Sequence, residues 1–319
     1  MSSLLQRRLV FVTGKGGVGK STVATALGLL AARSGLRTIV AELAAQERVQ
    51  RTFDHDGAIF REVQLAPCLF TISIDPEHAM EEYLKVKVGT VGHALSASRL
   101  FQAFAMATPG LRELLSIGKV WELAQLERQT GAAPYDFVVV DAPASGHGVG
   151  ILRTPRTFAD IARVGPIARQ ASKIAATIAD RDFTGVVAVT TPEEMPVNET
   201  LALRSALERD RLALDEVIVN ALYPSRFDQA EGAQLERAQE RVSTRAASAA
   251  LRAALSERAR AAVQREQVER LKEGLGMELI ELPYVFAKRI GKPELEILAD
   301  ALEPQLHQPA RAASSVLSG

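Results

Sequence analysis

The 319-residue sequence predicts an α/β chain: a doubly wound, mostly parallel sheet with helical insertions. Three observations carry that expectation. Short apolar, β-branched runs alternate with stretches of helical periodicity, the pattern of a parallel sheet covered on both faces. The run Val10-Phe11-Val12-Thr13 stops at a glycine, and a helical pattern begins right after Ser21, so a glycine-rich loop joins strand to helix. A second run, Phe137-Val138-Val139-Val140, ends in Asp141 and sets an acid at the carboxyl end of a strand.

The elements follow in order. A first strand is expected over about Leu9 to Thr13, then a helix over about Ser21 to Ser34, with Val23, Leu27 and Leu30 on one face and Gly35 as its stop. A short buried strand, about Arg37 to Glu42, precedes a polar stretch, and Leu69 to Ile74 reads as the third strand. From Pro76 to Gly131 the pattern is helical, and strand four is Tyr135 to Asp141. The small-residue loop Ala142 to Gly148 leads into helical sequence to about Asp182, a strand over about Gly185 to Thr190, a helix over about Pro196 to Arg209, and a strand over about Glu216 to Asn220. Ser225 to Gly274 reads as one or two long Ala/Arg/Glu helices, Met277 to Leu282 as a last strand and Pro293 to Leu302 as a last helix. This organisation is one domain over residues 1–303, with helical insertions at about 76–131 and 225–274, and a disordered tail over 304–319.

Composition bounds the chemistry. Apolar residues make up 47% and charged residues 24%, ordinary for a globular chain that buries a sizeable core. Lys+Arg and Asp+Glu balance at 38 each, so no global field favours nucleic acid or an anionic membrane. The single cysteine, Cys68, excludes an intrachain disulfide and a multi-cysteine metal site within one chain. No apolar run reaches membrane-spanning length, and Met1 to Arg8 lacks the apolar core of a secretory signal. A cytoplasmic protein without stable membrane insertion is expected.

The loop Gly14-Lys15-Gly16-Gly17-Val18-Gly19-Lys20-Ser21-Thr22 has the P-loop spacing. Its glycines let successive backbone N–H groups turn inward around phosphate oxygens, and the following helix adds its N-terminal partial charge. Lys20 is placed to reach the β- and γ-phosphates, and the Ser21 hydroxyl to ligate Mg²⁺. Gly14-x-Gly16-x-x-Gly19, with Glu42 ending the next strand, also satisfies the dinucleotide fingerprint. That fingerprint has no need of Lys20-Ser21, whereas Asp141 sits where a Walker B carboxylate belongs beside Mg²⁺. The ligand expected is ATP with Mg²⁺.

Lysine at the second position of the loop, Lys15, makes it a deviant Walker A. Together with Asp-Ala-Pro-Ala-Ser-Gly-His at 141–147, Thr-Pro-Gly-Leu-Arg-Glu at 108–113 and Val219-Asn220, the chain resembles the ArsA-type ATPases, within the larger MinD/ParA class of P-loop NTPases. That family includes arsenite-pump ATPases and cytosolic carriers of tail-anchored membrane proteins. The resemblance spans roughly residues 7 to 303. It implies a nucleotide-sandwiched dimer in which Lys15 crosses to the partner's phosphates, with residues 141–147 as switch II. It further implies that Asn220 bonds adenine and that Pro283 opens the loop covering the base.

One departure matters. Such ATPases place a water-orienting aspartate in switch I; if Glu42 is the strand-end acid, that position is Ala44. Loss of a positioned base costs about 10²–10⁴ in rate, so slow hydrolysis is expected, with Glu42 or Glu47 as substitutes. The catalytic set is then Lys15, Lys20, Asp141 and Glu42. A chain of this kind is expected as a homodimer, or as a heterodimer in which it serves a related, competent ATPase as a non-hydrolysing regulatory subunit. The helical stretch with Phe101, Phe104, Met106 and Trp121 is where such carriers build a groove for a protein client. With Cys68 alone, neither a zinc clamp between subunits nor arsenite binding is expected. A ParA-like role on DNA or a surface would use Arg237, Arg241, Arg245 and Arg252 on one helical face. Glu236 and Glu240 flank that stripe, and nucleic acid is not expected as a partner.

Overall fold

The five residues of Leu9–Thr13 (β1) are all buried, as a strand with neighbours on both edges and helices on both faces must be. The computed structural model describes residues 3–43, 47–96, 108, 110–162 and 166–306. After β1 come the strands β2 (Thr38–Glu42), β3 (Val63–Ala66), β4 (Leu69–Ser73), β5 (Phe137–Asp141), β6 (Thr184–Thr190), β7 (Glu216–Leu222) and β8 (Ile280–Pro283). They form a sheet in the order β3-β4-β2-β5-β1-β6-β7-β8. All pairings are parallel except β3 with β4. The chain therefore builds outward from β1 in both directions, which opens a crevice at the carboxyl ends of the central strands.

The helices are α1 (Lys20–Arg33), α2 (Arg48–Thr52), α3 (Pro76–Ser96), α4 (Leu111–Leu123), α5 (Ser145–Ala162), α6 (Pro166–Ala179), α7 (Glu194–Arg209), α8 (Gln229–Gln239), α9 (Arg245–Leu275) and α10 (Lys292–Leu306). Alternate strand residues face two cores. Val10, Val12, Val40, Val139 and Val187 pack against α1 and α10. Leu9, Phe11, Ile39, Val138 and Val140 pack against α4, α5, α6, α7 and α9. Gly28 lets α1 lie close on β2, since a Cβ there would come within 2.6 Å of Val40 Cγ2.

Several expectations are corrected. β3, a four-residue antiparallel edge strand, is absent from the sequence reading; Val63, Gln64, Leu65 and Ala66 are half-buried or exposed and lack a continuous apolar signal. The single turn α2 was read as part of a polar stretch. The helical pattern read to Gly131 stops at Leu123, and the loop that follows is held by side chains. Arg128 donates to Glu62 at 2.6 and 3.0 Å and to Glu122 at 3.0 and 3.1 Å. Lys119 bonds Glu82 and Glu122, and Tyr135 and Thr130 donate to Glu62 and Glu122.

The small-residue loop after β5 is only Ala142 to Ala144, because helix α5 begins at Ser145. Arg237, Arg241, Arg245 and Arg252 do not share one helix. The turn after Gln239 separates α8, opened by an Asp228/Glu231 capping box, from α9, opened by the Thr244 cap. α10 runs through Pro304 to Leu306, which is 1% exposed, so the apolar contact outweighs the missing N–H in the last turn. The tail beyond Leu306 lies outside the described residues.

Candidate functional site

The loop from Gly14 to Gly19 closes over the carboxyl end of β1. Gly14 (φ +143°) admits no Cβ, which would overlap the Val189 carbonyl, and Gly19 (φ +91°) lies against the Asn220 amide while capping α1. Lys20 Nζ donates to the Lys15 carbonyl at 2.8 Å, folding its side chain back along the loop. Ser21 Oγ donates to Asp141 Oδ2 at 2.5 Å. Thus the first turn of α1 and the end of β5, 120 positions apart, meet as the sequence motifs predict.

A cavity of about 550 Å³ opens here, walled by Gly16, Gly17, Lys20, Thr22, Glu42 and Arg48 among others. Two strand-end acids, Glu42 and Asp141, line it. Thr13, Glu42, Ser73 and Asp141 are the last residues of β1, β2, β4 and β5, and Glu42 is in register with both Ser73 and Asp141. Thr13 Oγ1, Glu42 Oε2, Ser73 Oγ and Asp141 Oδ1 are buried with no hydrogen-bond partner among the described residues. Groups of that kind are rarely left unpaired in a core. Parallel register sets Ser73, Glu42 and Asp141 in a row, and Thr13 follows Val12, the register partner of Asp141.

The electrostatics follow from burial. Burial and the neighbouring Asp141 charge push the Glu42 carboxyl up to about 7, against the backbone N–H groups of Val49 and Arg48 and the Arg48 charge. Arg48 N donates to Glu42 Oε1 at 2.9 Å. Asp141 is raised by burial as well, with the Ser21 hydrogen bond and the Lys20 and Arg48 charges opposing. Lys20 is lowered, chiefly by burial. A carboxyl near neutrality is matched to proton transfer at physiological pH.

Other predicted residues are distributed around this centre. Val18 is buried, and its carbonyl accepts from Asn220 Nδ2 at 2.9 Å. Lys15 Nζ stands 3.7 Å from Glu199 on α7 of the same chain. Pro283 is exposed at the end of β8, opposite Leu222, and does not line the cavity. Trp121 is half-buried, and its indole N–H donates to Thr177 on α6 at 3.0 Å. Ala44, Phe101, Phe104 and Met106 lie outside the described residues. Sequence reasoning missed Arg48 and the Ile290 and Leu295 wall; no local pattern marks them, because only the tertiary return of α2, of α10 and of the loop before α10 brings them here.

Similarity to known proteins agrees with this geometry. The family model described as anion-transporting ATPase matches residues 7–164 and 160–248, which together span more than half of the chain. The chain belongs to the anion-transporting ATPase family. Within that family it is 31% identical over 228 residues to ATPase BagA of Mycobacterium tuberculosis, covering 69% of this chain and 67% of the relative. It is 22% identical over 351 residues to ATPase GET3C of Arabidopsis thaliana, covering 95% and 84% of the two chains. It is 27% identical over 260 residues to ATPase GET3 of Candida glabrata, covering 69% and 73%. The protein is a nucleotide-binding P-loop ATPase. No helix among the described residues is long and apolar enough to cross a membrane.

Proposed function

We propose that the cavity at the ends of β1, β2 and β5 binds Mg·ATP, that the protein hydrolyses it slowly, and that the cycle opens and closes a dimer whose surface engages a partner or client. The observation that carries this reading is the Ser21–Asp141 pair with Asp141 Oδ1 left unpartnered inside the P-loop cavity. A hydroxyl and a carboxylate beside a polyphosphate cradle are the protein share of a Mg²⁺ site that takes its remaining ligands from phosphates and water. Among the described residues no cluster of three or more His, Cys, Asp or Glu could hold a metal without such help. Once bound, the ion would neutralise phosphate charge. Lys20 leaves the Lys15 carbonyl to meet phosphate oxygens, and the loop amides between Gly14 and Thr22 orient them. Glu42 holds a proton or accepts one at Oε2, the oxygen that no backbone N–H engages.

Lys15 supports the dimer. Among the described residues its ion pair is a partly exposed contact to Glu199 at 3.7 Å, worth little, which leaves it able to cross to a partner's phosphates. The client surface is assigned to the α3–α4 insertion, where Met80, Tyr83, Leu84, Leu114 and Leu115 line an apolar cavity of about 150 Å³. We assign the insertions at α3–α4 and α8–α9 to the same domain as the sheet.

Single-turnover hydrolysis of Mg·ATP, with and without Ala44→Asp, tests this function. Slow turnover that rises about 10²-fold on restoring the acid is expected. Tight binding with no turnover in either form would favour the regulatory-subunit reading instead. Chelation of Mg²⁺ should remove most of the ATP-induced rise in melting temperature.

A further inference from the structure

The end of β7 carries an irregularity that the nucleotide reading leaves unused. Between the pairs Val219↔Glu281 and Leu222↔Pro283, β7 advances three residues while β8 advances two. The extra residue is absorbed at Ala221, whose φ is +63°. That is the left-handed region, costly for a residue with a Cβ. Such a backbone persists only where its surroundings hold it. Here one side chain does so. Gln264 of α9 donates from Nε2 to the Ala221 carbonyl at 3.3 Å and accepts the Tyr223 N–H on Oε1 at 2.8 Å. Both ends of one amide are spent on the two residues that flank Leu222.

The bulge decides where its neighbours point. Before it, Asn220 Nδ2 donates to the Val18 carbonyl inside the phosphate loop, pressed against Gly19. After it, Tyr223 stacks on Tyr284 at 4.8 Å between ring centroids and meets Phe286 edge-on at 5.9 Å. Gln264 also lies on the part of α9 that packs on the body, between the buried Ala261 and Val268.

We propose that Gln264 is a positioning residue for the nucleotide site: its amide holds the left-handed Ala221 bulge, and the bulge holds Asn220 against the phosphate loop. The role rests on the nucleotide reading above, since it acts through the loop that would bind phosphate. It also ties the α8–α9 insertion to that loop through three hydrogen bonds: two at the bulge and one at Val18.

The test uses the full chain and two probes, Mg·ATP and inorganic tripolyphosphate, with affinities measured by calorimetry. Gln264→Leu, which keeps volume and removes both hydrogen bonds, should weaken both probes about tenfold. Gln264→Glu, which keeps the acceptor for Tyr223 N–H and loses the donor to Ala221, should fall between it and the native chain. The decisive arm is rescue. Glycine adopts φ +63° without strain, so in an Ala221→Gly background the Gln264→Leu loss should shrink to less than about threefold. A loss that glycine does not relieve means that Gln264 acts only by packing α9 and overturns the role. Weakened ATP binding with tripolyphosphate binding intact also overturns it, since the effect would then bypass the phosphate loop. If Gln264→Leu does not fold, Gln264→Glu and its glycine double variant decide the matter by the same ratio. Native protein that binds neither probe sinks the nucleotide reading itself, a different failure seen before any variant is made.

Discussion

Two clusters of buried charge lie on this sheet, and they are built oppositely. Around Arg128, which is 6% exposed, the carboxylates of Glu62 and Glu122 are met by guanidinium, ammonium, phenol and hydroxyl donors. Burial alone would raise both acids, but the Arg128 hydrogen bonds and charge, with Tyr135 on Glu62 and Lys119 on Glu122, outweigh it and leave both lowered. At the strand ends, the buried Glu42 and its neighbour Asp141 remain raised, each with an oxygen that nothing among the described residues engages. Burial is common to the two; satisfaction is not. The first cluster closes a loop and needs nothing more. The second is left incomplete, and an incomplete buried polar site costs stability until a ligand completes it.

The largest way to break the contrast is to unpair the closed cluster. Arg128→Met should destabilise the protein by about 3 kcal/mol, because it strands the buried Glu122 carboxylate and unpairs the partly exposed Glu62. Urea denaturation would show this, while affinity for Mg·ATP per folded molecule stays unchanged. Next comes pH. A Glu42 carboxyl raised from the ordinary 4.5 to about 7 binds its proton more tightly folded than unfolded. Its contribution is therefore neutral below about pH 4 and turns against folding as pH rises toward 7, by about 3 kcal/mol at full ionisation. The lowered Glu62 and Glu122 have the opposite sign: their stabilisation is present above the ordinary carboxylate range and is lost as pH falls below it. A stability–pH curve of native protein against Glu42→Gln should isolate the first limb, with the variant flatter between pH 4 and 7.

Lys20→Ala should lower hydrolysis about 10²–10³-fold, the cost of removing one preorganised cation from a phosphate site, as read by steady-state phosphate release. Asp141→Asn sharpens the comparison further. It should abolish Mg²⁺-dependent hydrolysis yet raise the melting temperature of the ligand-free protein, equivalent to about 1 kcal/mol, because a desolvated charge with one oxygen unpartnered disappears. The smallest effect belongs to the exposed contact: Glu199→Ala should change stability by less than about 1 kcal/mol.

The positions of β1, β5 and their loops were legible because each is a short buried strand ending at a residue with one chemical purpose. Ser21 and Asp141 meet at the place their motifs imply. β3 and α2 were not legible, since an edge strand of four residues and a single helical turn carry too little periodicity. The Arg stripe failed for a related reason: spacing alone could not see that two capping residues, Asp228 and Thr244, start separate helices. Trp121 reads as part of a client groove, and the partner of its N–H, Thr177, is met only once α4 and α6 are packed together.

The sequence by itself determined the phosphate loop, the acid at the end of β5 and the family, because these depend on residue types at fixed local spacing. Only the tertiary structure decided which polar groups are left unpaired. Ser73, Glu42 and Asp141 are scattered along the chain, and they stand in one row because parallel register pairs Glu42 with both of the others. Likewise Arg48 and Gln264 gain their places from the return of a helix to the sheet, a contact that closes over many residues and leaves no local trace.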